Sequence, residues 1–180
     1  RHLREISMIQ EFKLTSNEEA LLDDIGSSPL IRIQCLGVSK QDAVPEPGIF
    51  CQAVVLRTAT SELVVKPTCE EFGDLEIFWL SIASAQQVNL AEYRAQARSV
   101  QIAPDALGTV RSWEKIRFTI RYERKEKEPL DAQLDFGILF HLEDRKRLLI
   151  LRAGLPFFVQ FFSDSDEIDG ALASIAQAQQ

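Results

Sequence analysis

The sequence predicts an α+β fold: a mainly antiparallel, twisted sheet, partly closed toward a barrel or packed as a sandwich, flanked by a short helix near each terminus. Three observations predict it. Apolar residues recur at period two along many short runs, each bounded by turn residues. Capping patterns followed by apolar residues at helical spacing occur near both ends. No linker long enough to separate domains interrupts the 180 residues, so residues 8–180 read as one β-rich domain. If Met8 opens the native chain, residues 1–7 are a tag or extension.

The elements follow in order. Ser16 precedes Glu19 by three residues, the spacing of a capping box, and Ala20, Leu21, Leu22 and Ile25 follow before Gly26 stops the helix. Residues 30–38 set Ile31, Ile33 and Cys35 against Arg32 and Gln34, as a strand does. Residues 49–57, 63–66 and 75–82 continue the β pattern, with linker-like stretches at 39–48 and 67–74. Residues 89–100 satisfy two periods at once. Asn89 and Glu92 cap a helix with Leu90, Tyr93, Ala97 and Val100 on one face, while Tyr93, Ala95, Ala97 and Ser99 also alternate with Arg94, Gln96 and Arg98.

The clearest alternation spans 115–124, where Ile116, Phe118, Ile120 and Tyr122 oppose Arg117, Thr119, Arg121 and Glu123. Residues 137–142 and 148–152 form a hairpin across the charged tip Glu143, Asp144, Arg145, Lys146 and Arg147. Residues 157–162 make a last strand. Acidic residues from Asp164 to Asp169 then open a closing helix whose apolar stripe is Ile168, Leu172 and Ile175.

Charge excludes some partners. Lys and Arg number 20 against 27 Asp and Glu, and the net charge of −7 repels nucleic acid and anionic lipid, so neither is expected as a partner. Cys35, Cys51 and Cys69 fit neither a disulfide framework nor a zinc ribbon, and no apolar run reaches the length of a membrane span. The expected compartment is the cytoplasm.

No cofactor or metal is expected. The glycines do not cluster into a phosphate-cradling loop, and no G-x-S-x-G elbow occurs. Asp164, Asp166, Asp169 and Gly170 break the calcium-loop pattern, because Ile168 stands where an oxygen ligand belongs and Asp169 where the glycine belongs. A hydrolase would have to use His141 or the carboxylates Glu70, Glu71, Asp74 and Glu76, which lie near Trp79. A satisfied strand histidine and solvated loop charges are the simpler account.

The informative anomaly is apolar. Residues 49–56, 148–151 and 157–162 are apolar on both alternating faces, more than short helices are expected to cover. The leading expectation is therefore a non-catalytic binding, adaptor or chaperone-like assembly protein. Its partner would be another protein or a second copy, docked on apolar sheet surface around Phe158 and Phe162 with Arg117 and Arg121 as a basic rim. The alternative reading is a carrier of an apolar small molecule in a β-barrel interior.

Overall fold

The computed structural model describes residues 9–39, 47–96, 98–102, 107–154 and 157–180, with the backbone alone at 94–96, 98–99 and 102. The expected tag at 1–7 and most of the stretch 39–48 lie outside the described residues.

Among those residues the strands form two sheets, and the sheets do not close into a barrel. One sheet runs β8 (Val110–Tyr122), β9 (Leu130–Leu142), β10 (Arg147–Arg152), β11 (Val159–Phe162) and β3 (Ile49–Cys51), each antiparallel to its neighbour. The short β1 (Gln10–Phe12) lies parallel to the start of β9. The other sheet runs β6 (Leu75–Ser84), β5 (Glu62–Phe72), β4 (Ala53–Thr58), β2 (Leu30–Val38) and β7 (Arg98–Ile102), again antiparallel. Three helices flank them: α1 (Ser16–Asp24), α2 (Leu90–Gln96) and α3 (Ser165–Ala178).

The main core lies between the two sheets. Ile33, Val54, Leu56 and Val65 from one meet Ile138, Phe140, Ile150 and Phe161 from the other, with Leu22 and Ile25 closing one end. Burying side chains of this size contributes about 1.5–3 kcal/mol each before the entropy of ordering them is subtracted.

Apart from Phe157 and Phe158, the doubly apolar runs are covered by the chain itself, contrary to the expectation that they exceed its own cover. Ala53 and Val55 point outward from β4 and lie under Leu90 and Tyr93 of α2. Leu149, Leu151 and Phe162 point outward from β10 and β11 and pack against Ile168 of α3, with Ala171, Leu172 and Ile175 beside it. Residues 49–57 add a further reason: the chain changes sheet at Gln52, where β3 ends in one sheet and β4 begins in the other. A strand that turns such a corner is enclosed on both faces.

Two local expectations need correction, and one alternative left open by the sequence is resolved. The capping box belongs to Thr15 and Glu18, one residue earlier than Ser16 and Glu19, and the second oxygen of Glu18 accepts the Ile82 N–H at 2.6 Å. Residues 67–72 are the far half of β5 rather than a linker. The pairing of β5 with β4 stops at Val65, so Pro67 sits where β5 has β6 on one side only, a position that tolerates a missing N–H. Residues 89–100 are both helix and strand in succession, since α2 ends at Gln96 and β7 begins at Arg98.

Candidate functional site

The connection from β10 to β11 borders two clefts. Gly154 lines the first, a groove of about 400 Å³ between α3 and the outer face of β10 and β11, walled by Phe136, Leu151, Phe162 and Ile175. Arg152 crosses its floor, with its guanidinium 5.4 Å from the Phe136 ring and one Nη donating to the Phe78 carbonyl at 2.9 Å. The Arg152 Nε is buried with no acceptor. Phe157 lines the second cleft, about 310 Å³, with Gln52, Pro67, Glu92 and Tyr93.

Phe157 is the most exposed large apolar side chain among the described residues, at 59%. Its φ of 64° lies in the left-handed region, which costs a residue with a Cβ about 1–2 kcal/mol. The ring stands edge-on to Phe78 at 5.2 Å, an arrangement favoured by the ring quadrupoles.

The expected partner residues are placed differently from one another. Phe162 is 2% exposed and sits beneath α3, so its ring forms the wall of the groove and not an open surface. Phe158 is half-buried beside Phe157. Arg117 and Arg121 lie on one face of β8, on the far side of β9 from β10 and β11. Arg117 Nε is 3.4 Å from Asp135, and Arg121 is 3.6 Å from Asp131 and 3.7 Å from Glu123. The rim is therefore an ion-paired ladder whose carboxylates offset its positive charge.

The hydrolase candidates do not converge. His141 Nε2 lies 3.1 Å from the exposed Glu114 carboxylate at the top of β8. Glu70 and Glu71 sit in β5 and Glu76 in β6, with Glu71 directly opposite Glu76. Asp74, in the hairpin turn, is held by Arg124 and Lys127. Its carboxyl lies below the ordinary value of 3.8, chiefly because it accepts its own backbone N–H and then through those two cations. Cys35 and Cys51 are buried side by side and Cys69 is exposed. Among the described residues no His, Cys, Asp and Glu group is arranged to hold a metal ion, and no helix is long and apolar enough to cross a membrane.

Sequence reasoning missed two features. Asp135 is a charge held at 2% exposure in β9, and an acid flanked by Leu134 and Phe136 is the signal the sequence offers for it. Phe157 follows Gly154 and Pro156 in the sequence, a turn signature that removes it from the strand period. No family model, curated protein or solved structure matches this chain.

Proposed function

We propose that the protein is a non-catalytic binding protein that holds an apolar polypeptide segment at the β10–β11 connection. The observation that carries this reading is Phe157, a large ring held 59% exposed on left-handed backbone. Strain of this kind persists only where surrounding structure imposes it, and it clusters at ligand-binding positions. The ring presents aromatic area at low entropic cost, and the groove beside Phe136 and Phe162 offers an apolar trough on the other side of the same connection.

Fluorescence anisotropy of a labelled, permanently unfolded polypeptide such as reduced, carboxymethylated α-lactalbumin tests the proposal. Saturable binding is expected, weakened about tenfold by Phe157→Ser and by Ile175→Glu and unchanged by Ile9→Ser. Ile9 is an exposed apolar residue outside both clefts, so it controls for general greasiness. Absence of binding at roughly 100 μM protein, or equal loss in all three variants, overturns the reading.

The barrel interior expected for a carrier is absent, since the two sheets stay open, so a carrier reading has to use the apolar groove beside Arg152 instead. A fatty acid would lay its chain along Phe136 and Phe162 with its carboxylate toward the Arg152 guanidinium. Thermal stabilisation by a long-chain fatty acid, lost in Arg152→Gln, would favour this alternative over the polypeptide.

A further inference from the structure

We propose that β8 pairs edge to edge with the β8 of a second copy of this chain, antiparallel, with Thr119 opposite its counterpart. The inference needs neither Phe157 nor the α3 groove. Among the described residues β9 is the only strand that β8 pairs with. Its first residues, Val110 to Trp113, lie beside Leu22, Asp23 and Gly26, so the stretch that follows is the open edge. An open edge presents a row of N–H and C=O groups that complements another strand.

One contact shows that this edge accepts peptide-like pairing. The Gln179 side-chain amide meets both backbone groups of Thr119, its Oε1 accepting the Thr119 N–H at 3.0 Å and its Nε2 donating to the Thr119 carbonyl at 3.3 Å. That donor–acceptor pair is what an opposing strand residue supplies in a hydrogen-bonded antiparallel pair. Gln179 is an exposed residue at the C-cap of α3, so its side chain is a placeholder that another backbone displaces at little cost.

Self-complementarity points to a second copy as the occupant. With Thr119 facing Thr119, Phe118 meets Ile120 and Ile116 meets Tyr122 on one face, in both halves of the two-fold pair. All four are only half-buried at present, and the added strand covers their open flank. On the other face Lys115, already bonded to Glu19, comes opposite Glu123 and adds no like-charge clash. The like pair Arg117 and Arg121 is already matched within each chain by Asp135 and Asp131. That matching leaves a strongly acidic client little to recognise in these two arginines, which argues against such an occupant.

Sedimentation equilibrium on the whole chain and disulfide trapping test the interface. Dimer is expected at roughly 100 μM, tightened by Gln179→Ala and weakened at least about tenfold by Thr119→Pro. The Thr119 N–H points away from β9, so proline there removes the edge donor and spares the β8–β9 ladder. Thr119→Cys, combined with Cys69→Ser to remove the exposed native thiol, is expected to form an intermolecular disulfide with diamide as oxidant. This second variant reads the interface even if the proline variant fails to fold. Monomer for both the native chain and Gln179→Ala, undiminished dimer in folded Thr119→Pro, or no disulfide trapping in the Thr119→Cys variant would each overturn the proposal.

Discussion

The Asp135 carboxylate accepts the backbone N–H of Leu14 at 2.7 Å, which ties the segment leading into α1 to the middle of β9. Lys115 Nζ stands 3.6 Å from the same carboxylate and Arg117 Nε 3.4 Å, while Lys115 reaches Glu19 of α1 at 2.6 Å. A carboxylate that is 2% exposed needs these partners, because an unpaired charge there costs several kcal/mol. Asp135→Ala orphans the Leu14 N–H and removes the anion between two cations. It is expected to lower stability by about 3 kcal/mol in urea unfolding. Asp135→Asn keeps an oxygen for Leu14 and should lose less; equal losses would show that the backbone bond contributes nothing.

The same cluster sets the acid limb of stability. Glu19 is held below its ordinary carboxyl value of 4.5, first by the hydrogen bond from Lys115 and then by the charges of Lys115, Arg117 and Lys13. A depressed folded value stabilises above the unfolded pKa and is lost as pH falls through the folded one. Stability should therefore decline below about pH 4.5, and less steeply in Glu19→Gln when Tm is followed with pH. An unchanged slope would show that Glu19 does not contribute to it.

Cys51 contributes to the alkaline limb. Its thiol is pushed far above the ordinary value of 9.0, first by the hydrogen bond shared with Cys35 and then by burial, so it stays neutral while the unfolded chain ionises. Above about pH 9 the unfolded state binds fewer protons, and stability should fall by about 1.4 kcal/mol per unit for this one group. Cys51→Ala removes that slope. Thiol titration of the folded protein at neutral pH should count only Cys69 as fast, and a second fast thiol would mean the core opens readily.

How much was legible follows from which interactions are local. Although the cap of α1 is shifted by one residue from the Ser16–Glu19 spacing, the hairpin of β9 and β10 and the acidic start of α3 declare themselves in the sequence, because period and charged tip sit within about 15 residues. The cover over Leu149 and Phe162 did not, since it depends on α3 folding back across the sheet. Nor did the roof over Val55, because 89–100 carries two periods and only tertiary context assigns α2 to one half and β7 to the other. Phe162 stands out in the sequence for its apolarity, yet burial beneath a helix reverses what that apolarity does. For Arg117 and Arg121 the decisive fact was cross-strand register, which places Asp135 and Asp131 opposite them.

Phe157 separates stability from binding. Glycine adopts φ near 64° without a Cβ clash, so Phe157→Gly relieves backbone strain while giving up the edge contact with Phe78. Stability is expected to hold or rise by up to about 1 kcal/mol, whereas affinity for the unfolded polypeptide falls about tenfold. A variant that loses more than about 1 kcal/mol of stability would show that the ring is a packing residue.

Gly137 lies on β9 between β8 and β10. It faces Ile116 of β8 on one side and Leu151 of β10 on the other, and a Cβ there would sit 2.5 Å from a Leu151 methyl and 3.1 Å from the Ile150 carbonyl. The methyl lies among Phe162 and Ile168, which share its cluster, and the carbonyl belongs to the adjoining strand β10. The neighbouring bulge, where Phe136 stands unopposed between Gly137 and Asp135, leaves β9 no freedom to slide and relieve the contact. Gly137→Ala is therefore expected to destabilise by about 1–3 kcal/mol despite alanine's lower unfolded-state entropy. Pairing it with Leu151→Ala, which clears the clashing methyl, should recover part of the loss in a double-mutant cycle. Strict additivity of the two losses would place the strain elsewhere than between these side chains.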